Sequence, residues 1–588
     1  MFFYRQPKLD PSGANGGGSD SGGGEAQTVS SATGRLKRVP WICGAILFFA
    51  NLGLRLMNVP FNRLLESTIC RDHWKQYDPS LLGPDQNVDE HLCKGKAVQT
   101  RLAFYVGLIS TIELVCELIA SIPLGYVSDK YGRKLLLAIN NAGTILTMIW
   151  YICIGRFHNV FNIQASIAAP FLFLFTGGAH VCGAAVSALI ADVAGSENQL
   201  TTIFGYMQAT IQVLQFLGPA ISSTALTKDI WLPFCLGLAS LCLIYPCIAF
   251  LPETRRSQGR RFENHEPSTT PDINSCRTPS TTAVTNPDLG DEDENETDPL
   301  VSRNDTDVTL IPEESDPGPD LGSDDISVKF SQNSCESNKP HPKSLREYMH
   351  EVSKQARDHL QDLKTLVGSS RDFKYYLLVF LANTLARASQ NVLLQYLSKR
   401  YHIKFAIAGY LLAMKGLFNF ILFAALIPLF LRIMTRRYGH EKENSLINLL
   451  GMKISVALLF VGVTLVGLSY EFWMMIISLP IYSLGYGLGL FAMTAVTKLT
   501  IKTCGGYSHI GRAYAAVVFV ETIGALIGVP AVASLWIAGL QIGGWGLTLP
   551  WCFCALLYFF IGVIIWSLQA DSNQPESTPT SSDSAENS

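Results

Sequence analysis

Runs of about 20 predominantly apolar residues recur along almost the whole chain, each long enough to cross the roughly 30 Å hydrocarbon core of a bilayer as a helix. Lipid offers the backbone no hydrogen bonds, so these runs are expected to be α-helices. They fall near 41–57, 102–127, 135–154, 167–191, 203–226 and 231–250, and again near 373–397, 407–431, 446–468, 474–496, 513–535 and 547–568. The predicted fold class is an all-α membrane protein with twelve transmembrane helices in two sets of six. A charged fraction of 16% fits that class, since soluble proteins carry about 25%. The net charge of -3 leaves no basic stripe for a nucleic acid.

The expected domain plan is a disordered cytosolic tail over 1–40, a six-helix half over 41–250, a cytosolic linker over 251–372, a second six-helix half over 373–568 and a disordered tail over 569–588. No cleavable leader pattern precedes the first run, which is expected to remain as a signal-anchor. The linker is full of Asp, Glu, Asn, Pro, Ser and Thr and almost lacks aromatics, too little apolar surface to offset the entropy of ordering. Its end differs. Leu345, Met349, Val352, Ala356, Leu360 and Leu363 recur at helical spacing behind a capping box that starts at Ser344, which predicts an amphipathic helix over 344–366 on the membrane face.

Basic residues beside short loops set orientation. Clusters at Arg35, Lys37 and Arg38, at Lys130, Arg133 and Lys134, at Arg432, Arg436 and Arg437, and at Lys498, Lys502 and Arg512 fall on one side if both termini are cytosolic. Lys399, Arg400 and Lys404 run against the rule, as do Arg71, Lys94 and Lys96. The same orientation places Cys70 and Cys93, which share a polar segment between the first two spans, in an oxidising compartment, where they are expected to pair. Most other cysteines sit inside apolar runs as small hydrophobes, and no Cys/His spacing for a metal occurs.

Between the second and third spans stands Gly125-Tyr126-Val127-Ser128-Asp129-Lys130-Tyr131-Gly132-Arg133-Lys134. Asp129 can accept from Arg133 or meet a helix N-terminus, and Gly132 suits a tight turn. The segment is similar to the G-x-x-x-D-[RK]-x-G-R-[RK] signature of the major facilitator superfamily, at the loop where that family carries it. Leu251-Pro252-Glu253-Thr254 after the sixth span resembles the family's ending there, while Arg436-Arg437-Tyr438-Gly439-His440 is a weak second copy without its Asp. The loop bearing Glu66, Cys70, Glu90, Cys93 and Lys94 resembles a poorly characterised fungal branch, distantly like proton-coupled folate and haem-carrier transporters. The resemblance implies two six-helix pseudo-repeats, with spans one, four, seven and ten lining a cavity.

Charges at membrane depth cost at least about 2.5 kcal/mol each, so they need partners or water. Counting along the spans places Glu113, His180, Arg387, Lys415 and Glu521 near mid-depth, with Glu117 one turn from Glu113. By the resemblance His180 and Arg387 face the cavity, and the others lie nearer the contact between halves. Arg387 either touches an anionic substrate or pairs with a structural carboxylate. Glu521, among apolar neighbours, is a candidate carrier of a coupling proton or a permanent partner of Lys415 or Arg387. Glu113 and Glu117 are alternatives for the proton, and His180 is readable as a structural donor.

The expected function is secondary active transport of a small organic solute by alternating access, coupled to protons, with direction open. A receptor or scaffold that keeps the transporter fold is the alternative. No Walker A pattern, no nucleophile beside a base and no H-E-x-x-H occurs, so neither an ATP-driven pump nor an enzyme is expected. The expected partners are the solute, protons and the lipid bilayer, without a cofactor, in a plasma-membrane monomer.

Overall fold

A computed structural model describes residues 39–83, 88–157, 159–193, 197–251, 371–438, 444–504 and 510–572. The linker with its expected helix over 344–366, both tails and the side chain of Asp129 lie outside the described residues. Twelve helical spans follow one another, and no strand occurs among the described residues. The first half holds α1 (Val39–Tyr77), α2 (Lys96–Tyr131), α3 (Arg133–Arg156), α4 (Ile163–Ile190), α5 (Glu197–Lys228) and α6 (Leu232–Phe250). The second holds α7 (Arg371–Arg400), α8 (Phe405–Arg437), α9 (Asn444–Leu468), α10 (Phe472–Ile501), α11 (Ile510–Ile542) and α12 (Leu549–Ser572).

Eleven of these are apolar enough to cross a membrane by composition. The twelfth, α5, has 32 residues and the necessary length, but Gln208, Gln212 and Gln215 lower its hydropathy. Gln212 is buried and Gln215 meets α8, while Gln208 is exposed. Asn419 on α8 donates to Gln215 Oε1 at 3.4 Å. A Cβ on Gly416 would stand 2.3 Å from the Gln215 carbonyl oxygen, so only glycine lets α5 and α8 approach this closely. Gly107 serves α2 against α11 in the same way, with Ala533 Cβ 2.6 Å from the position its own Cβ would take. Small residues thus build the two helix pairs that join the halves, where lipid supplies no hydrophobic drive between helices.

Helix α1 is longer than its apolar run. It continues through Asn58, Asn62, Arg63, Glu66 and Arg71 to Tyr77, so Cys70 lies on a helix rather than in a loop. Hydropathy registers the charge of such residues and not their pairing, and here Arg63 and Glu66 are partnered inside the protein.

Three spans break near their middles, besides the one-residue turn at Leu243 that divides α6. In α4, a 3-10 segment and the short helix Phe173–Thr176 end at Gly177 and Gly178, and a new helix starts at Ala179. In α7, the helix Arg371–Arg387 stops and another begins at Gln390. In α10, the 3-10 turn Gly485–Gly487 separates Phe472–Leu484 from Leu488–Cys504. Irregular backbone at membrane depth is tolerated where protein or a water-filled cavity satisfies it. A π-helical stretch, Leu422–Leu426, interrupts α8.

Candidate functional site

The breaks of α4 and α7 border a cavity of about 460 Å³ that both halves line. Its polar wall comes from Asn51, Asn58 and Asn62 on α1, Ser110 and Glu113 on α2, Asn140, Asn141 and Thr144 on α3, and Gln390 and Asn391 on α7. Its apolar wall includes Ile46, Met57, Ile109, Met148, Phe173 and Leu394. An apolar pocket with few convergent polar groups suits a small organic molecule.

The break in α4 is held by α2. Glu117 accepts from the Ala179 N–H at 2.9 Å and the His180 N–H at 3.4 Å, and its carboxylate also meets the His180 ring Nδ1. A carboxylate is favoured where a helix exposes its first N–H groups. A Cβ on Gly178 would overlap the Glu117 carboxylate, which explains a glycine there. Asn140 donates to the carbonyls of Thr176 and Gly178 at 3.1 and 3.0 Å, completing the freed backbone. Glu117 is buried while the His180 side chain is 77% exposed. Glu113 stands on the cavity wall, with no hydrogen bond or ion pair among the described residues.

At the breaks of α7 and α10 the residues converge differently. Lys415 is buried and donates to Gln390 Oε1 at 2.8 Å, and Gln390 in turn donates to the Tyr486 hydroxyl. The Lys415 ammonium lies 4.9 Å from the centre of the Tyr486 ring and 6.0 Å from that of Tyr482; the Arg387 guanidinium lies 6.0 Å from Tyr486. The charges of Arg387 and Arg55 act on Lys415. Glu521 feels the Arg387 charge, yet no ion pair among the described residues holds it to Arg387 or Lys415. Sequence reasoning passed over Arg55, although a lone arginine between Leu54 and Leu56 in an apolar run was the signal. Tyr482 and Tyr486 were missed because aromatics in a span look like core.

The end bearing the disulfide is built from paired charges. Cys70 is bonded to Cys93, with Cα atoms 5.3 Å apart. Behind the bond, Glu66 accepts from Lys94 at 2.8 Å, Gln99 at 2.6 Å and Arg63 at 3.0 Å. Glu90 meets Lys94 at 3.2 Å and Arg63 at 3.4 Å, and accepts from the Phe405 N–H at 2.7 Å where α8 begins. This last bond ties the halves together. So do donation from Lys399 to the Lys94 carbonyl and from Lys96 to the Gln541 carbonyl. Deeper in, Gln395 donates to Asn62 at 3.2 Å and accepts from Trp536 at 3.1 Å, which closes the cavity on this side.

At the opposite end, Gly132 takes φ +101° between α2 and α3, a conformation suited to glycine. Lys130 donates to the Tyr126 hydroxyl at 2.9 Å, and Lys134 to the carbonyls of Ala249 and Leu251 at 3.0 and 3.4 Å. Lys134 thus ties the turn to the end of α6. Arg133 opens α3, and Gly125 lies within α2.

Two six-helix sets of membrane-length helices share this cavity. Residues 99–528 match the Major Facilitator Superfamily, and the chain belongs to it. It is 26% identical to "MFS efflux pump atnC" of Emericella nidulans over 39% of this chain and 45% of that protein. It is 22% identical to "Efflux pump ustT" of Aspergillus flavus over 77% of this chain and 74% of that protein. The match thus spans under half of the first relative's length and about three quarters of the second's. The solved human organic anion transporter MFSD10 (TETRAN) superposes with a TM-score of 0.47 at 14% identity, over 90% of this chain and 99% of that one.

Proposed function

We propose that this chain is a proton-coupled exporter of a small organic solute, working by alternating access in the plasma membrane with both termini cytosolic. The observation that carries this reading is a cavity shared by both halves, tied shut toward the disulfide and walled by a mid-depth carboxyl group, Glu113, that no protein partner fixes. The disulfide end then faces outward, and the Gly125 to Lys134 turn gates the cytosolic end. The names of the fungal relatives support export over uptake.

Glu113 and Glu521 carry the coupling proton in this reading, since neither is engaged by a hydrogen bond or ion pair among the described residues. Glu117 is committed to Ala179 and His180 and serves as a structural cap. Metabolite profiling of cells and medium with and without the gene identifies the solute. Glu521→Gln and Glu113→Gln are then expected to abolish its pH-driven transport while leaving exchange at equal pH intact. Full pH-driven transport in both variants would reject the proton role.

A further inference from the structure

Arg387 of α7 and Lys415 of α8 face one tyrosine ring, Tyr486, at the break of α7, and Arg55 stands on α1. Two of them act on the third through their charges. Among the described residues no carboxylate forms an ion pair with any of them. Arg55 and Arg387 donate to no protein acceptor there, and Lys415 donates only to the neutral amide of Gln390. Like charges this deep repel one another unless an anion lies among them. Gln390 connects the group to the cavity, because it holds Lys415 and lines the cavity wall.

We propose that Arg55, Arg387 and Lys415 bind the oxyanion group of an organic anion whose apolar body fills the cavity beside Ile46, Met57, Ile109 and Leu394. The inference rests on the transporter reading and names its substrate class. A planar guanidinium offers paired donors to a carboxylate, and the lysine adds a point charge. Tyr486 backs both Arg387 and Lys415 with its ring face, holding the cations in place when the site is empty. The charge of Arg387 also acts on Glu521. A neutral solute leaves the cations unanswered.

The test measures binding on the full chain in detergent, by the shift of its thermal unfolding midpoint. The probes are naphthalene-2-carboxylate, naphthalene-2-carboxamide and inorganic phosphate at equal ionic strength. The carboxylate is expected to bind at least about tenfold tighter than the amide, the worth of one charge-assisted hydrogen bond. Phosphate, lacking an apolar body, is expected to bind more weakly than the carboxylate. Arg387→Gln and Arg55→Gln should each remove the preference for carboxylate over amide, and Arg387→Lys should retain part of it. Equal binding of carboxylate and amide by the unaltered protein overturns the proposal whether or not any variant folds, as does a preference that survives both Arg→Gln changes. Phosphate binding as tightly as the carboxylate overturns the assignment of an organic body. No transport enters the assay, so a carboxylate preference in a chain that moves no solute would sink the transporter reading and spare the site.

Discussion

Around the disulfide, the buried Glu66 and Lys94 contact one another, and Arg63, Glu90 and Gln99 complete the set. At the break of α7, Arg387 and Lys415 face tyrosine rings and an amide instead. The first group reaches across to the second half through Glu90 and Phe405, the second lies within the second half, and the two differ in what completes them. Charges that answer each other inside the protein hold a surface shut, and one cannot be removed without stranding another. Charges left without a counter-ion are costly in the resting protein and are completed from outside. The contrast teaches that a charge in a span is a site only when the protein itself does not neutralise it.

The sharpest way to break the contrast is to remove one charge from each group. Lys94→Met leaves the buried Glu66 with only Arg63 and Gln99 and is expected to lower stability by about 1–3 kcal/mol, read as the unfolding midpoint in detergent. Adding Glu66→Gln should recover part of that loss. Arg387→Gln strands no carboxylate and is expected to cause no comparable loss. Similar losses from Lys94→Met and Arg387→Gln would erase the distinction.

The disulfide comes next. It spans a sequence separation of 23 residues, which corresponds to about 3 kcal/mol in the chain-entropy account. Cys70→Ser with Cys93→Ser should lower the midpoint accordingly and loosen the clasp around Glu90 and Phe405. Alkylation mapping of the unaltered chain without reductant should find neither thiol free; two free thiols would contradict both the bond and the proposed outward orientation.

Much of this was legible in the sequence. Eleven of the twelve spans are apolar enough to follow from composition, α5 being the exception, and the Gly125 to Lys134 motif marked the family from ten residues. The extension of α1 through Glu66 and Arg71 was not legible, because a charge paired 28 residues away with Lys94 looks like a solvent-exposed charge in a local window. The breaks at Gly177, Ser389 and Gly485 escaped for a related reason. At α4 the freed backbone is satisfied by Asn140 and Glu117 from other helices, and local propensity does not carry that information. Glu113, expected near the contact between halves, lines the cavity that both halves share.

The smallest expected effect is that of pH on the clasp. His402 sits between α7 and α8, and desolvation together with the charges of Lys399, His91 and Lys94 holds its imidazole below the ordinary value. A depressed histidine favours the neutral form in the folded chain, so the unfolded chain binds the proton more readily. Its contribution to stability is therefore present above about pH 6.5, the unperturbed value, and is lost as pH falls through the folded value. His402→Asn, which tolerates the φ of 51° found here, should flatten the dependence of the unfolding midpoint on pH over that window. An unchanged slope would exclude His402 as its source.

The most direct measurement concerns which face reaches the cavity. Asn391 lines it from α7, so Asn391→Cys, in a chain whose free cysteines are replaced and whose Cys70–Cys93 bond is kept, reports access to a membrane-impermeant maleimide. Labelling is expected from the face of the Lys130 to Lys134 turn and to be weak from the disulfide face, with Lys94→Met raising the latter. Labelling from the disulfide face alone, with the paired charges intact, would contradict the account.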